Sequence, residues 1–388
     1  MNQRDALRWY GAGAAAARTG DEMSGTALLL ASLAVTGSAT VASWLLAALT
    51  ASAAIGGPVF GALLDRSARP GRLLAGALAG YASGLVIILA TLGRVPVVLT
   101  VLVAMSAGLL GPALSGGWTS QLPRLVPYER LPRANALDAL TFNGASLAGP
   151  ALAGAVAGLW GAPAGVVVAT ALICLALPSA FGLPRRRARA ASTAGGIPAA
   201  LTAGFRAIVR IRPLARATTV SVVSCVGQGM LVACAPLLGA RVFGSPAHGA
   251  VLLSGVAVAA LAANAVLSAC PQPTRPDTVV AYGPLVIGAG LLLAATGHPV
   301  PVVAAVLLVG LGEGPQLTAL FAIRHRESPE RLRGQIFTTG ASLKISGFAL
   351  GAGLAGPLAT RSPTGALLTA AGVQGLAALW GAVGRRAR

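Results

Sequence analysis

Charged side chains are scarce in this sequence. Asp, Glu, Lys and Arg make up 10% of its 388 residues, whereas hydrophobic residues make up 55%. A typical soluble domain carries about 25% charged residues, and the mean hydropathy here is +0.77. So few polar side chains cannot cover a surface that faces water, which excludes an ordinary soluble domain. We therefore expect much of the surface to face lipid.

Histidine and cysteine, the residues most used for nucleophilic catalysis and metal binding, are also few. They are His248, His298, His325, Cys174, Cys225, Cys234 and Cys270. The cysteine spacings match no metal motif. No Ser/His/Asp or Cys/His set is recognisable, and the sequence has no Walker-type phosphate loop. We therefore expect neither an enzyme nor a bound metal or cofactor.

Acidic residues number only ten against 29 basic residues, which gives a formal net charge of +19. In a soluble protein this excess would suggest a nucleic-acid partner. Here the basic residues are concentrated in short segments between long apolar stretches. We therefore expect no nucleic-acid partner.

Long apolar stretches are what the sequence has in abundance. A helix needs about 20 predominantly apolar residues to cross a bilayer, and twelve such windows occur. They are residues 11–36, 40–63, 73–93, 96–118, 136–159, 162–183, 215–239, 247–269, 278–297, 300–323, 335–359 and 364–384. The sequence thus predicts an all-α integral membrane protein with twelve transmembrane helices.

The basic residues fall mainly on one side of these predicted spans. With the N-terminus placed in the cytoplasm, 24 of the 29 lysines and arginines lie on the cytoplasmic side, including Arg216 at the start of the seventh span. The opposite side holds Arg94, Arg241 and Arg361. Because cytoplasmic loops collect Lys and Arg, we expect a multi-pass protein of the bacterial inner (plasma) membrane with both termini in the cytoplasm.

The longest predicted connection divides the chain almost evenly. Residues 184–214 separate a predicted N-terminal six-helix bundle (1–183) from a C-terminal one (215–388). The stretch RRRARAASTAGG is typical of a flexible basic linker. The following AALTAGFRAIVRIR predicts a short amphipathic helix on the membrane surface, with Arg206 and Arg210 toward anionic headgroups. A regulatory lipid site is the alternative use of these arginines.

The two halves contain a repeat. Residues 127–154 read PYERLPRANALDALTFNGASLAGPALAG, and residues 329–356 read PERLRGQIFTTGASLKISGFALGAGLAG. Each copy is a connection that enters an odd-numbered span, the fifth or the eleventh. Parallel six-span halves around a central pathway are an architecture of secondary transporters.

The loop GALLDRSARPGR after the second span carries the most specific motif. Together with the LVPYERLPRANAL loop and the AGPALAG segment of the fifth span, it resembles the major facilitator superfamily, and within it the twelve-span, proton-driven drug-efflux branch. The matching residues are Gly61, Asp65, Arg66, Arg69 and Arg72 in the loop and Gly149, Pro150 and Gly154 in the fifth span. The corresponding loop of the second half lacks the motif, and the fourth span lacks the arginine that many proton-driven members carry.

This resemblance implies two pseudo-symmetric six-helix bundles that rock about a central site. It implies a secondary active transporter that exports a small, fairly hydrophobic drug or metabolite by proton antiport and alternating access. Asp65 would meet the N-terminal end of a helix in the other half and take part in state switching. We expect a monomer whose partners are the lipid bilayer, the substrate and protons. The alternatives are an importer or facilitator of a small nutrient and, more remotely, a membrane sensor or enzyme.

Ionisable residues inside a bilayer are energetically costly and therefore indicate function. In the first span, Arg18 precedes Asp21 and Glu22 by three and four residues, which places both acids on its helix face. Either this cluster neutralises itself, or it forms a protonation site in the central cavity. In the second case we expect Asp21 to carry the proton, because Glu22 can pair with Arg18.

Two further ionisable residues lie in predicted spans of the second half. Glu313, in the segment GLGEGPQ, has small neighbours and no basic residue within a helical turn. We expect it to take part in proton coupling, with a hydrogen-bonded structural carboxyl group as the alternative. Lys344, the single lysine, is expected to pair across helices with Glu313 or Asp21.

Polar residues in the spans are candidates for the substrate pathway. They are Asn143, Gln228, Asn264 and Gln316. Hydrogen bonding between helices is the more common use of such residues in membrane proteins, so both interpretations stay open at the level of sequence.

Overall fold

The computed structural model describes residues 3–119, 121–122, 125–127, 131–183, 197–269, 275–329 and 332–386. These residues are almost entirely helical. The helices are α1 (Gln3–Thr36), α2 (Ala39–Arg66), α3 (Pro70–Thr91), α4 (Val97–Gly108), α5 (Leu131–Trp160), α6 (Ala162–Leu175), α7 (Leu177–Phe181), α8 (Ile197–Arg210), α9 (Arg212–Phe243), α10 (Ala247–Ala269), α11 (Pro276–Ala295), α12 (Pro299–Glu327), α13 (Arg333–Arg361) and α14 (Pro363–Arg386). A π-helical turn, Ala113–Gly117, follows α4.

Each predicted span coincides with a helix or with two consecutive helical segments. Within the described residues, nine helical stretches are long and apolar enough to cross a membrane. They are Ala39–Phe60, Pro70–Thr91, Val97–Gly117, Ala162–Phe181, Arg212–Phe243, Ala247–Leu267, Pro276–Ala295, Pro299–Arg324 and Pro363–Ala382. The other three predicted spans lie in α1, α5 and α13, which carry Arg18, Asp138 and Lys344. These helices pack against several neighbours, so their polar residues need not face lipid.

Short glycine turns connect the helices at one end of the protein. Gly37, between α1 and α2, and Gly161, between α5 and α6, have φ angles of 64° and 88°. Glycine adopts this left-handed conformation without steric strain, so the chain reverses direction within a few residues. We call this end the opposite end. The other end holds the longer connections and most of the arginines, and we call it the basic end.

Helices α1–α7 and α9–α14 form two bundles, each with its own apolar core. Leu74, Leu85 and Ile88 are fully buried in the first core, and Ile287 and Leu291 are fully buried in the second. This all-helical, two-bundle architecture confirms the predicted fold class. It also places α1, α2, α5, α9, α10 and α13 where the two bundles face each other.

The two bundles meet where α2 packs along α13 and where α5 packs along α10. At the opposite end, Gly356 of α13 lies against Thr40 of α2, and Gly154 of α5 lies against Ala247 of α10. A side chain at either glycine would collide with the facing backbone, so the helices are in direct contact. A small apolar cluster bridges the bundles near the same end and consists of Leu29, Ala42, Leu46 and Ala352. The protein is therefore closed at the opposite end.

Helix α8 lies in the predicted linker, whose residues 184–196 are outside the described part of the chain. Ala207 and Ile208 of α8 are buried, and the helix packs against α13 and α9. Its exposed side chains include Phe205, Arg206, Val209 and Arg210. Apolar and basic groups thus share the exposed surface of α8, and its contact with anionic lipid stays a prediction.

Candidate functional site

A cavity of about 920 Å³ lies between the two bundles, within the range of about 300–1,000 Å³ typical of ligand pockets. Its walls come from α1, α2, α3, the π-helical turn and α5 on one side and from α9, α10, α12 and α13 on the other. Most of its lining surface is apolar. The polar and ionisable lining residues are Asp21, Glu22, Ser24, Thr26, Thr50, Tyr81, Ser115, Gln228, Glu313 and Ser342.

The cavity extends toward the basic end. Its lining reaches Leu64 near the end of α2 and Gly117 at the end of the π-helical turn. In the other direction, the contacts of α2 with α13 and of α5 with α10 close the gap between the bundles. Among the described residues, the cavity therefore extends toward the basic end and is closed off at the opposite end.

Asp21 lines the cavity from the middle of α1. The Ser24 hydroxyl donates a hydrogen bond to the carbonyl oxygen of Asp21 (2.7 Å) and shares a second one with the Tyr81 hydroxyl (2.8 Å). Tyr81, from α3, also interacts with the carboxyl group of Asp21. Tyr81 is not among the residues predicted from the sequence, because an aromatic residue in an apolar span is typical of a core position.

Glu22 lines the same cavity and accepts a hydrogen bond from Ser146 of α5 (3.2 Å). Beside it lies Gly149, a residue of the predicted fifth-span motif. A Cβ at this position would lie only 2.7 Å from the Cβ of Glu22, so glycine lets α5 approach α1 at the carboxyl-bearing residue. The next residue, Pro150, also lines the cavity.

Arg18 pairs with Asp138 of α5, and the prediction that it pairs with Glu22 is wrong. The two side chains, 1% and 5% exposed, form an ion pair of 2.8 Å. The cluster of Arg18, Asp21 and Glu22 is therefore not self-neutralised. Asp138 lies 120 positions from Arg18. It is near the start of the predicted fifth span, and an acidic residue at that place is easily assigned to the loop before the span.

The Arg18–Asp138 pair is enclosed by further polar contacts. Tyr10 donates a hydrogen bond to one carboxylate oxygen of Asp138 (2.7 Å), and Thr119 donates to the other (2.8 Å). The guanidinium group of Arg18 also donates to Thr119 (2.9 Å) and lies 3.7 Å from the ring centroid of Phe142. This network ties α1, α5 and the segment after α4 together inside the first bundle.

Glu313 lines the cavity from α12 in the second bundle. Its neighbours Gly312 and Gly314 lie against Ile287 of α11 and Ala260 of α10. The two glycines therefore let α12 pack closely against α10 and α11, and they are not part of the described cavity lining. Glu313 thus lines the same cavity as Asp21 and Glu22, from the other bundle.

Lys344 of α13 is close enough to Glu313 for electrostatic attraction. Among the described residues, however, no ion pair of 4.0 Å or less joins Lys344 to Glu313 or to Asp21. Lys344 is also absent from the cavity lining, as is Arg18. The described lining thus combines three carboxyl groups with no Lys or Arg side chain.

Gln228 and Gln316, two of the pathway candidates, both contact the Ser224 hydroxyl, but of the two only Gln228 lines the described cavity. Gln228 of α9 lines the cavity. Gln316 is 4% exposed and belongs to a network in which the Ser224 hydroxyl donates to Gln374 (2.8 Å) and contacts Gln316 (3.3 Å). The structure therefore brings Gln228 to the candidate site and places Gln316 inside the second bundle.

Asn264 and Asn143, the other two candidates, are not part of the described cavity. Asn264 accepts a hydrogen bond from Thr318 (3.0 Å), which joins α10 to α12. The side chain of Asn143 lies outside the described residues. Asn264 thus has the interhelical role that was the alternative interpretation of its sequence.

At the basic end, the loop motif between α2 and α3 is described in part. Of Gly61, Asp65 and Arg66, only the helical backbone is described. Arg69 precedes α3 and Arg72 lies in its first turn, and both side chains are exposed. The contact predicted for Asp65 therefore stays a prediction.

The Pro-Gly pair of this loop, Pro70 and Gly71, has a structural role. Pro70 is the first residue of α3, a position where the missing N–H is not needed by the helix. Gly71 lies against the backbone oxygen of Ala180 and against Leu183. The pair thus starts α3 and docks it against the end of the sixth span.

The corresponding connection of the second half carries an ion-pair cluster that the sequence did not indicate. Asp277, at the start of α11, pairs with Arg216 of α9 (2.5 Å) and with Arg326 of α12 (2.9 Å). Arg326 also pairs with Glu327 (2.7 Å). These contacts join three helices of the second bundle at the basic end.

The family model of the Major Facilitator Superfamily matches residues 11–352. The chain belongs to this superfamily. Membership indicates a transporter rather than an enzyme, and the fold makes it a multi-pass membrane protein. The transporters of this family alternate access to a site between two bundles, which is where the cavity with Asp21, Glu22 and Glu313 lies.

A relative of this chain agrees with the assignment. The chain is 29% identical over 275 residues to "Uncharacterized MFS-type transporter y4rN" of Sinorhizobium fredii (strain NBRC 101917 / NGR234). This match covers 69% of the chain and 66% of the relative, just under two thirds of the relative's length.

Two transporters of known structure illustrate the shared fold. A single-residue mutant of the nucleoside transporter NupG superposes with a TM-score of 0.79 over 99% of this chain and 100% of its own, at 12% identity. The POT family transporter PepTSo superposes with a TM-score of 0.75 over 100% and 98%, also at 12% identity. Identities this low show the fold and leave the substrate open.

Proposed function

We propose that this protein is a secondary active transporter that exports a small, fairly hydrophobic compound across the bacterial inner membrane in exchange for protons. The observation that carries the proposal is the composition of the cavity. Asp21 and Glu22 from one bundle and Glu313 from the other line it, and its described lining contains no Lys or Arg.

Carboxyl groups in an apolar cavity favour proton coupling. A charged carboxylate is costly inside a membrane, and the cost is relieved either by a proton or by a nearby positive charge. A substrate and a proton can therefore compete for the same groups, which is what exchange requires. We propose Asp21, Glu22 and Glu313 as the proton-coupling residues, with Lys344 as the charged neighbour of Glu313.

The same lining restricts the substrate. Mostly apolar walls favour a hydrophobic compound, and three carboxyl groups without a basic side chain disfavour an anion. A highly charged anion such as a sugar phosphate would be repelled by Asp21, Glu22 and Glu313. We therefore propose a neutral or positively charged drug or metabolite that contacts Gln228 and the aromatic ring of Tyr81.

The contacts between the bundles support alternating access as the mechanism. With both termini in the cytoplasm, the basic end is the cytoplasmic end, and the cavity is open to the cytoplasm. Release on the other side requires the contacts of α2 with α13 and of α5 with α10 to separate. The motif loop with Asp65 would then hold the cytoplasmic end closed. We propose that the protein alternates between these states as a monomer in the bilayer. Residues 184–214 would link its two bundles.

Accumulation assays in an efflux-deficient bacterial host test the proposal. Cells that express the protein are loaded with a panel of dyes and antibiotics, matched in size and differing in charge. Accumulation is compared with and without a protonophore and against cells with an empty vector. We expect lower accumulation of one or more neutral or cationic compounds, and loss of this effect with the protonophore.

The outcomes separate the alternatives. Uptake that depends on the protein would indicate the importer or facilitator. Extrusion of anions alone would contradict the role assigned to the three carboxyl groups. No change for any compound, with or without the gradient, would contradict export and leave a non-transporting membrane sensor or enzyme as the alternative.

A further inference from the structure

Arg18 and the two cavity carboxyl groups of α1 share a helix face but not a contact. Arg18 lies three and four residues before Asp21 and Glu22, a spacing at which oppositely charged side chains on a helix pair. In the structure the guanidinium group donates instead to the Asp138 carboxylate (2.8 Å) and to Thr119 (2.9 Å). The arginine is therefore held away from the cavity.

Asp138 is the group that holds Arg18 in this position. Besides the ion pair, its backbone carbonyl oxygen accepts a hydrogen bond from Arg18 (3.0 Å). Tyr10 and Thr119 donate to its two carboxylate oxygens at 2.7 and 2.8 Å, so the carboxylate itself is fixed. An arginine that is 1% exposed cannot stay charged there without a partner.

The surroundings of α1 contain few other charges that Arg18 can reach. At the same level, Gly20 lies against Ile173 of α6 and Gly25 against Leu46 of α2, so these helices contribute apolar contacts. The described titratable and charged groups facing this part of α1 are Tyr10 and Tyr81, Asp21 and Glu22, Asp138 on α5, and Glu313 with its neighbour Lys344 across the cavity. An Arg18 released from α5 would therefore find its nearest counter-charges in Asp21 and Glu22.

We propose that Asp138 is a positioning residue that acts through Arg18 and sets the proton affinity of the Asp21–Glu22 pair. Asp138 does not line the cavity. By neutralising Arg18 inside the first bundle, it leaves both cavity carboxyl groups without a basic partner, free to exchange a proton. The functional significance of this inference rests on the proposed proton coupling. The arrangement of charges itself does not depend on whether the protein exports a drug.

The protonation of the cavity carboxyl groups can be followed without a substrate. The apolar reagent N,N′-dicyclohexylcarbodiimide reacts with protonated carboxyl groups, and mass spectrometry of the purified, detergent-solubilised full chain locates the products. Labelling of the Asp21–Glu22 pair is measured against pH. Labelling of Glu313, on the other bundle, is measured in the same samples as the internal control.

In D138N, Arg18 loses its counter-charge and turns to Asp21 and Glu22. A positive charge at that distance favours the carboxylates, so the protonated forms appear only at lower pH. We expect the midpoint of Asp21–Glu22 labelling to move toward acid by about one pH unit or more. The Glu313 midpoint should not move. In D138E the carboxylate is retained, and the wild-type midpoint should be restored.

A double variant keeps the test decisive. R18Q/D138N removes both charges, so no uncompensated charge is left inside the bundle, and it should show the wild-type Asp21–Glu22 midpoint. An unchanged midpoint in a folded D138N protein would overturn the proposal. So would an acid shift in R18Q/D138N, because the effect would then not pass through Arg18. Since labelling needs no transport, a failure of the export proposal leaves these outcomes unaffected.

Discussion

Gly340 of α13 lies directly against the buried guanidinium group of Arg324 of α12. The two copies of the repeat are offset by 202 residues, as Gly149 and Gly351 show, so Gly340 stands where Asp138 stands in the first copy. In both bundles, therefore, a buried arginine lies beside the equivalent position of the repeat. In the first bundle an aspartate pairs with the arginine, and in the second the missing side chain makes room for it.

Substitution of Gly340 tests this relationship. A Cβ at position 340 would overlap the Arg324 guanidinium group, so the arginine must leave its buried position. We expect G340A to be destabilised by about 1–3 kcal/mol, measured as a lower thermal unfolding temperature of the purified protein. G375A on α14, where a Cβ meets nothing within 4 Å, is the control. Equal unfolding temperatures of G340A and wild type would contradict the contact.

Glu313 is one of the three carboxyl groups that we propose for proton coupling. E313Q keeps the size and hydrogen-bonding capacity of the side chain and removes its titration. We therefore expect loss of proton-driven export in inverted membrane vesicles, with the protein still inserted at wild-type level. The matched control is E327Q on the same helix, outside the cavity and paired with Arg326. Full coupled export by E313Q would leave coupling to Asp21 and Glu22 alone.

Gln228 and Gln316 should respond differently to substitution. Q228A alters the cavity wall, so we expect a changed affinity for the transported compound. Q316A leaves the Ser224–Gln374 network incomplete in a buried site, which costs about 1–3 kcal/mol. We expect a lower unfolding temperature and unchanged affinity. The reverse pattern would place Gln316 on the substrate pathway.

The spans and the fold could be predicted from the sequence because they depend on local composition. Apolar windows of about 20 residues mark membrane helices wherever they pack. The arginine-rich connections indicate which ends of these helices lie on the same side of the membrane. The cavity residues Asp21, Glu22 and Glu313 could be predicted for a similar reason, since an ionisable group in a span is conspicuous by itself.

The partners of the ionisable groups could not be predicted in this way. A helix that is apolar all round gives no signal of its rotation, so the sequence cannot show that Arg18 faces α5. Glu22, four residues along the chain, was the wrong choice, and the true partner, Asp138, is distant in sequence. The same limit applies to Tyr81, whose position in the cavity wall depends on how α3 is rotated.

The motif loop makes a separate prediction about state switching. Asp65 would contact the second half only when the basic end closes, as its resemblance to the family motif implies. We expect D65A to insert at wild-type level, measured by immunoblot of membranes, and to lose most of its transport. D65E, which keeps the charge, should retain more activity. Wild-type transport by D65A would exclude a role for this carboxylate in the cycle.

The closed opposite end predicts where a cross-link would arrest transport. A Cβ at Gly353 of α13 would lie 3.3 Å from the Cβ of Ala47 on α2, close to the separation found in disulfides, about 3.5–4.5 Å. We expect A47C/G353C, made in a background without the four natural cysteines, to form a disulfide on mild oxidation. The bundles would then be locked together at the opposite end.

In the locked protein the compound can enter the cavity from the basic end but cannot leave on the other side. Export should therefore stop after oxidation and resume after reduction with dithiothreitol, whereas the A47C and G353C single variants should be insensitive to both treatments. The cross-linked fraction is measured from a tryptic digest under non-reducing conditions. Undiminished export by fully cross-linked protein would contradict alternating access through separation of α2 from α13, because the substrate would then pass without opening this contact.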